Sequence, residues 1–155
     1  MVEEDRLEAL RVAHSEGMEA RPDAVSIRVE DHLELIHELI ESRGEARVSD
    51  IADHLSVARP TVTKMLQRMA GEGWVHYERY RPVSLTKKGE AHARWMRKRH
   101  GVLVRFLKAI GVSEEVAHLE TEGIEHHLSA ETIERLQRLA EFEEANPGIM
   151  YSLIG

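Results

Sequence analysis

Glu122-Gly-Ile-Glu125-His126-His127 is the stretch of this sequence best equipped for chemistry. Glu122, Glu125 and His126 stand at i, i+3 and i+4, so on one helix they share a face and can converge on a point. Two carboxylates and an imidazole brought together are costly to bury unless a cation lies between them. The set therefore reads as half of a metal site built from oxygen and nitrogen donors. The same pattern is also that of an ordinary solvated helix face. Gly123 tips the balance toward a site, because a glycine inside a helix costs roughly 1 kcal/mol against alanine and asks for a packing or close-approach reason. Asp31 and Glu34, again at i and i+3, form a second carboxylate pair that would by itself suit the first turn of any helix.

These side chains must be positioned by a chain of 155 residues, enough for one large domain or two small ones, with 42% hydrophobic residues to build a core. Ala, Leu, Glu and Arg dominate, which favours helix. The absence of cysteine excludes disulfides, thiolate zinc sites, iron–sulfur clusters and cysteine nucleophiles. No apolar run reaches membrane-span length and the first residues are acidic, so the expectation is a cytoplasmic protein with no membrane partner. The net charge is −7, yet residues 47–108 hold fourteen Lys/Arg against five Asp/Glu, a balance of +9, which leaves −16 elsewhere. A basic middle between acidic ends suits a nucleic-acid surface beside a cation-binding or partner-binding one.

In chain order, residues 1–21 read as a helical lead-in broken at Arg21-Pro22-Asp23. A helix over 26–42 follows, with Leu33, Ile36, Leu39 and Ile40 as its apolar stripe and Gly44 as its stop. Ser49 is the expected N-cap of a short helix that buries Ile51, Ala52 and Leu55. After Ser56-Val57-Ala58, Pro60 opens a second helix, ending near Gly71, with Val62, Met65, Leu66 and Met69 inward. Short helix, tight turn and second helix make a helix-turn-helix. The second helix turns Arg59, Pro60, Thr61, Thr63, Lys64 and Arg68 toward the groove side, where such residues meet base edges and phosphates. Residues 74–80 alternate like a strand and 83–85 return, giving a hairpin with Arg79 and Arg81 at a basic tip. Thr86 caps a long helix to about Ile110, Ser113 starts the helix carrying the opening hexapeptide, and Ser129 caps a last helix with Ile133, Leu136, Leu139, Ala140 and Phe142 apolar.

With those pieces in order, the sequence resembles the manganese-responsive branch of the diphtheria toxin repressor family. The resemblance is carried by Asp31-His-Leu-Glu34, Ala46–Asp53, Pro60–Met65, Leu85-Thr-Lys-Lys-Gly89, Arg99-His100, Phe106–Val112 and Glu122–Ser129, and it runs from about residue 27 to 145. It implies a homodimer that binds a palindromic double-stranded DNA operator when metal is present, with no small-molecule substrate and no enzymatic activity. The metal ligands it implies are Asp31, Glu34, His100, Glu122, Glu125 and His126. They hold two cations per chain: Asp31, Glu122, Glu125 and His126 around one, Glu34, His100 and Glu122 around the other, with Glu122 bridging. The iron-responsive branch has sulfur-containing ligands where this chain has Asp31 and Glu125, so Mn²⁺ is the expected cofactor, with Fe²⁺, Co²⁺ or Cd²⁺ able to bind in vitro. The donor chemistry agrees independently: four carboxylates balance two divalent cations, and hard oxygen with some imidazole suits Mn²⁺ or Fe²⁺.

The expected fold is mainly α with a small β-hairpin wing. Residues 1–26 are an N-terminal extension, 27–92 a winged helix-turn-helix domain, and 93–155 a helical dimerisation and metal-binding domain, linked by the helix over 86–110. The resemblance implies a repressor of manganese uptake genes. Its alternatives are an Fe²⁺-responsive regulator of the same family and a winged-helix regulator answering to a non-metal ligand. A metallohydrolase is disfavoured by the lack of a further nucleophile or anion-cradling loop. A plain interaction module with a solvated acidic helix would leave the basic half unexplained.

Overall fold

The computed structural model describes residues 25–154, and the lead-in expected over 1–21 lies outside them. Helix α1 (Ile27–Arg43) ends on Gly44, whose φ of 82° and N–H bond to the Ile40 carbonyl close the last turn. Helix α2 (Val48–Leu55) follows, then α3 (Arg59–Gly71) with proline in its first turn. The hairpin pairs β1 (Val75–His76) with β2 (Ser84–Leu85) in antiparallel register, Val75 opposite Leu85. Next come α4 (Lys87–Ala109), α5 (Glu114–Ile124), a 3₁₀ turn (Glu125–His127), α6 (Ala130–Ala145) and α7 (Ile149–Ile154).

Two apolar clusters organise these elements. The first joins Leu33, Ile36 and Leu39 of α1 to Ile51 of α2, Val62, Leu66 and Met69 of α3, Trp74, Val75 and Val83 of the wing, and Met96 of α4. The second joins Val102 and Leu103 of α4 to Ile133 of α6, with Leu128 and Leu136 packed against it. Helix α4 threads both clusters. Residues 97–101 fall between them, at the joint of the two halves.

Thr86 helps tie the wing to α4. The Thr86 hydroxyl accepts the Gly89 N–H at 3.0 Å and donates to the Gly73 carbonyl at 2.7 Å. Gly89 is required here, because a Cβ would lie 2.0 Å from the Trp74 carbonyl oxygen.

Several expectations change. The Ser49 cap is not made: α2 begins two residues earlier, behind Arg47, without a side-chain cap bond. Paired strand is confined to two residues on each side, with an isolated bridge from Ala46 to Val83. The chain continues past Asn146-Pro147-Gly148 into α7, whose Tyr151 ring lies against Gly111. Leu139 and Phe142 are 45% and 49% exposed, so the α6 stripe is only partly spent within one protomer.

Candidate metal centre and nucleic-acid interface

The opening hexapeptide is not one continuous helix. Helix α5 stops at Ile124, and Glu125 and His126 lie in the 3₁₀ turn. Tightening the backbone there swings Glu125 fully inside, at 0% exposure, while Glu122 stays 63% exposed on the last turn of α5. Gly123 has open space where a Cβ would go, so the close-approach reason expected for it is not found within the protomer.

Ligand atoms of His100, Glu122 and Glu125 all lie within 4.8 Å of one another. His100 Nδ1 is 3.1 Å from Glu125 Oε2 and 3.5 Å from Glu122 Oε1. On the other side, His126 Nε2 is 3.5 Å from Asp31 Oδ1 and 3.8 Å from Glu125 Oε1. Glu125 thus reaches both groups with its two oxygens, the spanning place that the resemblance gives to Glu122. Helix α1 supplies Asp31 and Glu34, α4 supplies His100, and α5 with the 3₁₀ turn supplies the rest. Among the described residues Glu34 has no hydrogen-bond or ion-pair partner, but it feels the Glu125 and Glu122 charges.

Electrostatics mark this cluster as unfinished. Burial pushes the Asp31, Glu34 and Glu125 carboxyls above their usual range, and neighbouring carboxylates push further. Glu125 Oε1 is buried without a hydrogen-bond partner. An orphaned buried acceptor costs about 1–3 kcal/mol, more when charged. A divalent cation with oxygen and nitrogen ligands would meet both deficits, and the donors here are of that type.

The sequence reading missed three residues of this neighbourhood. Glu30, beside Asp31 but turned inward, accepts from His126 Nδ1 at 2.6 Å and from His92 Nε2 at 2.8 Å. Burial alone would raise its pKa; those two hydrogen bonds and the Arg99 charge reverse that and hold it at about 2. The same bond raises the His126 pKa. Arg99, 2% exposed, sits 3.4 Å from Glu30 and 3.9 Å from Glu125, with its guanidinium over the Trp95 ring. His118 Nδ1 lies 3.2 Å from His100 Nε2. A charged residue on the apolar side of a helix is the sequence signal that could have exposed Glu30 and Arg99. His118, four residues before Glu122, carried a spacing signal.

The DNA-facing expectation forms one surface. Arg59, Pro60, Thr63 and Lys64 of α3 line a hollow with Arg79, Tyr80 and Arg81 of the wing and with Arg47 and Ser49 before and on α2. Thr61 and Arg68 line an adjoining hollow on α3. Tyr80 takes a left-handed backbone at φ 67° and is 86% exposed, which thrusts the wing tip outward. Arg68 is bonded to Glu72 at 2.7 Å and Arg81 to Glu78 at 3.2 Å, both exposed pairs of the kind that contribute little to stability.

A winged helix-turn-helix joined by one long helix to a carboxylate–imidazole centre defines a metal-dependent DNA-binding regulator. Comparison with known proteins agrees with that class. Residues 24–83 match the model for "Iron dependent repressor, N-terminal DNA binding domain", and residues 86–149 that for "Iron dependent repressor, metal binding and dimerisation domain". The chain belongs to the iron-dependent repressor family. It is 47% identical over 125 residues to the HTH-type transcriptional regulator MntR of Lysinibacillus sphaericus, covering 81% of this chain and 90% of that one. Identity to the regulator of the same name from Listeria welshimeri is 42%, over 81% and 88% of the two chains. Among solved structures, a manganese-dependent transcriptional repressor in complex with manganese superposes with TM-score 0.65 at 27% identity, over 74% of this chain and 53% of that one. The manganese regulator SloR gives 0.62 at 30% identity, over 74% and 54%. This chain spans about half the length of those two. The protein is a metal-dependent transcriptional regulator that binds DNA and forms a homodimer; it is not an enzyme. Among the described residues no helix is long and apolar enough to cross a membrane.

Proposed function

We propose that this chain is a Mn²⁺-activated repressor of manganese uptake genes. Its winged-helix unit spans 27–92 and its helical unit 93–155, and it binds a palindromic operator as a dimer. Asp31, Glu34, His100, Glu122, Glu125 and His126 hold two cations per chain. The observation that carries this reading is Glu125: a fully buried carboxylate with an orphaned oxygen, facing an imidazole on either side, where α1, α4 and the 3₁₀ turn meet. When bound, the cations supply the positive charge that the carboxylates lack. Without it, Asp31 and Glu34 on α1 repel Glu122 and Glu125 across the joint. With repulsion removed, α1 is drawn to α4 and the 3₁₀ turn, which limits the swing of the winged-helix unit. The two α3 helices of the dimer are then held about 34 Å apart, one turn of DNA, as half-sites require. Metal and operator affinities must rise together by linkage. Oxygen donors at Asp31 and Glu125 favour Mn²⁺ over softer ions.

The test is capture of sheared genomic DNA by the purified protein with Mn²⁺, with anaerobic Fe²⁺, and with chelator. Recovery of a few promoters, among them those of manganese uptake genes, with Mn²⁺ and not with chelator is expected. Capture with Fe²⁺ alone would make it an iron regulator. Equal capture in all three would remove the metal switch.

A further inference from the structure

We propose that Glu30 is the positioning residue of the metal centre: it holds His126 with Nε2 turned toward Asp31 and Glu125, and takes no cation itself. This rests on reading the site as a divalent-cation centre. The geometry is closed around Glu30. Oε1 accepts from His92 Nε2 at 2.8 Å, and Oε2 accepts from His126 Nδ1 at 2.6 Å with Arg99 Nη2 3.4 Å away. Both oxygens are engaged by cationic or N–H donors inside the protein, which is the setting of an outer carboxylate rather than of a cation ligand. Arg99 Nη2 also lies 3.3 Å from His126 Nδ1, but the shorter contact to a carboxylate decides the proton's place. Nδ1 is therefore the donor, and neutral His126 keeps its lone pair on Nε2. That nitrogen faces Asp31 Oδ1 at 3.5 Å and Glu125 Oε1 at 3.8 Å.

Charge supports the assignment. Glu30, Asp31, Glu34, Glu122 and Glu125 make −5, and Arg99 returns one positive charge, which leaves −4 for two divalent cations. Arg99 and Glu30 cancel each other inside the protein, so the positioning carboxylate adds no net charge. Imidazole ligands commonly donate their second ring N–H to an outer carboxylate, and losing that partner typically costs about 10–100-fold in metal affinity. Glu30 is that partner for His126. His92, packed on Trp74 with ring centroids 5.4 Å apart, anchors the far oxygen.

The experiment is a Mn²⁺ titration of the full chain, followed by loss of the free-ion electron paramagnetic resonance signal, for wild type, Glu30→Gln, His92→Gln and His126→Ala. Long-range proton–nitrogen spectra of the cation-free proteins at alkaline pH report the His126 tautomer. Glu30→Gln is expected to weaken Mn²⁺ binding about 10–100-fold and to mix the tautomers. Where Glu30→Gln fails to fold, His92→Gln still tests the idea, with an expected weakening of about 3–10-fold. An unchanged affinity and an unchanged Nδ1–H tautomer in either folded variant would overturn the proposal, whatever happened to thermal stability. If His126→Ala took up Mn²⁺ as wild type does, the cation reading itself would fall, and Glu30 would be a structural ion-pair residue only.

Discussion

The two sides of the metal centre carry the same kinds of donor in opposite surroundings. On the inner side, Glu125 and His126 are shut in by Glu30 and Arg99, and Glu125 is wholly buried. On the outer side, Glu122 is exposed and His100 half-buried; His100 Nδ1 faces Glu125, while its Nε2 reaches the exposed His118. Desolvation raises the cost of charge wherever water is excluded, so the inner side pays most when no cation is present and has most to gain from one. The outer side is partly screened already. On the proposed cation reading, the inner side therefore contributes more to the metal response than the outer side.

Removal of the inner donor is the strongest way to test that contrast. Glu125→Ala should lower Mn²⁺ affinity by more than about 100-fold, beyond the range for outer partners, and should abolish metal-dependent operator binding in a gel-shift titration. Glu122→Ala should do less, about 10–100-fold, because water can replace part of an exposed donor. If Glu122→Ala kept an unchanged metal dependence, the two-sided centre would be wrong.

Acidity sharpens the comparison next. The Asp31, Glu34 and Glu125 pKa values are raised in the fold, so their stabilising protonated state is fully present at low pH and lost as pH rises through those raised values. His126, also raised, acts in the same direction. Glu30 acts oppositely: held at about 2, it stabilises above the ordinary glutamate pKa of 4.5 and loses that effect as pH falls toward 2. The cation-free protein should therefore melt a few degrees higher near pH ~5.5 than near pH ~8, and fall again below pH ~4.5, since ~1 kcal/mol moves Tm by about 2–4 °C at this size. Mn²⁺ should raise Tm more at the higher pH, where the site's groups are deprotonated. Scanning calorimetry with and without Mn²⁺ checks both signs.

Smaller effects come from the exposed periphery. Lys64→Ala should weaken operator binding and reduce the slope of log affinity against log salt by about 1, while leaving Mn²⁺ affinity unchanged. His118→Ala, which removes one solvent-exposed hydrogen bond, should change Mn²⁺ affinity less than about 10-fold. A larger loss would mean that the outer side is less solvated than it stands here.

Much of the fold was legible because its signals are local. The α1 stripe, the proline opening α3, the glycine after α1 and the Thr86 cap each act within a turn or two. The wing was legible as a hairpin, but its paired length was not, since alternation cannot tell how soon twisting strands part. The ligand types were legible, and their gathering came from the resemblance. The Glu30 role was not legible: Glu30 and Asp31 are adjacent in sequence and differ only in which way α1 faces once packed.

By itself, the sequence determined that the chain is helical with a basic middle, and that it carries oxygen and nitrogen donors without sulfur from cysteine. Those properties are set by residue type and short-range spacing. Only the tertiary structure decided that α5 ends at Ile124, that Glu125 rather than Glu122 is the buried residue spanning the site, and that Glu30 and Arg99 close its inner wall. Burial depends on which faces of distant helices meet, and the cost of a charge depends on burial.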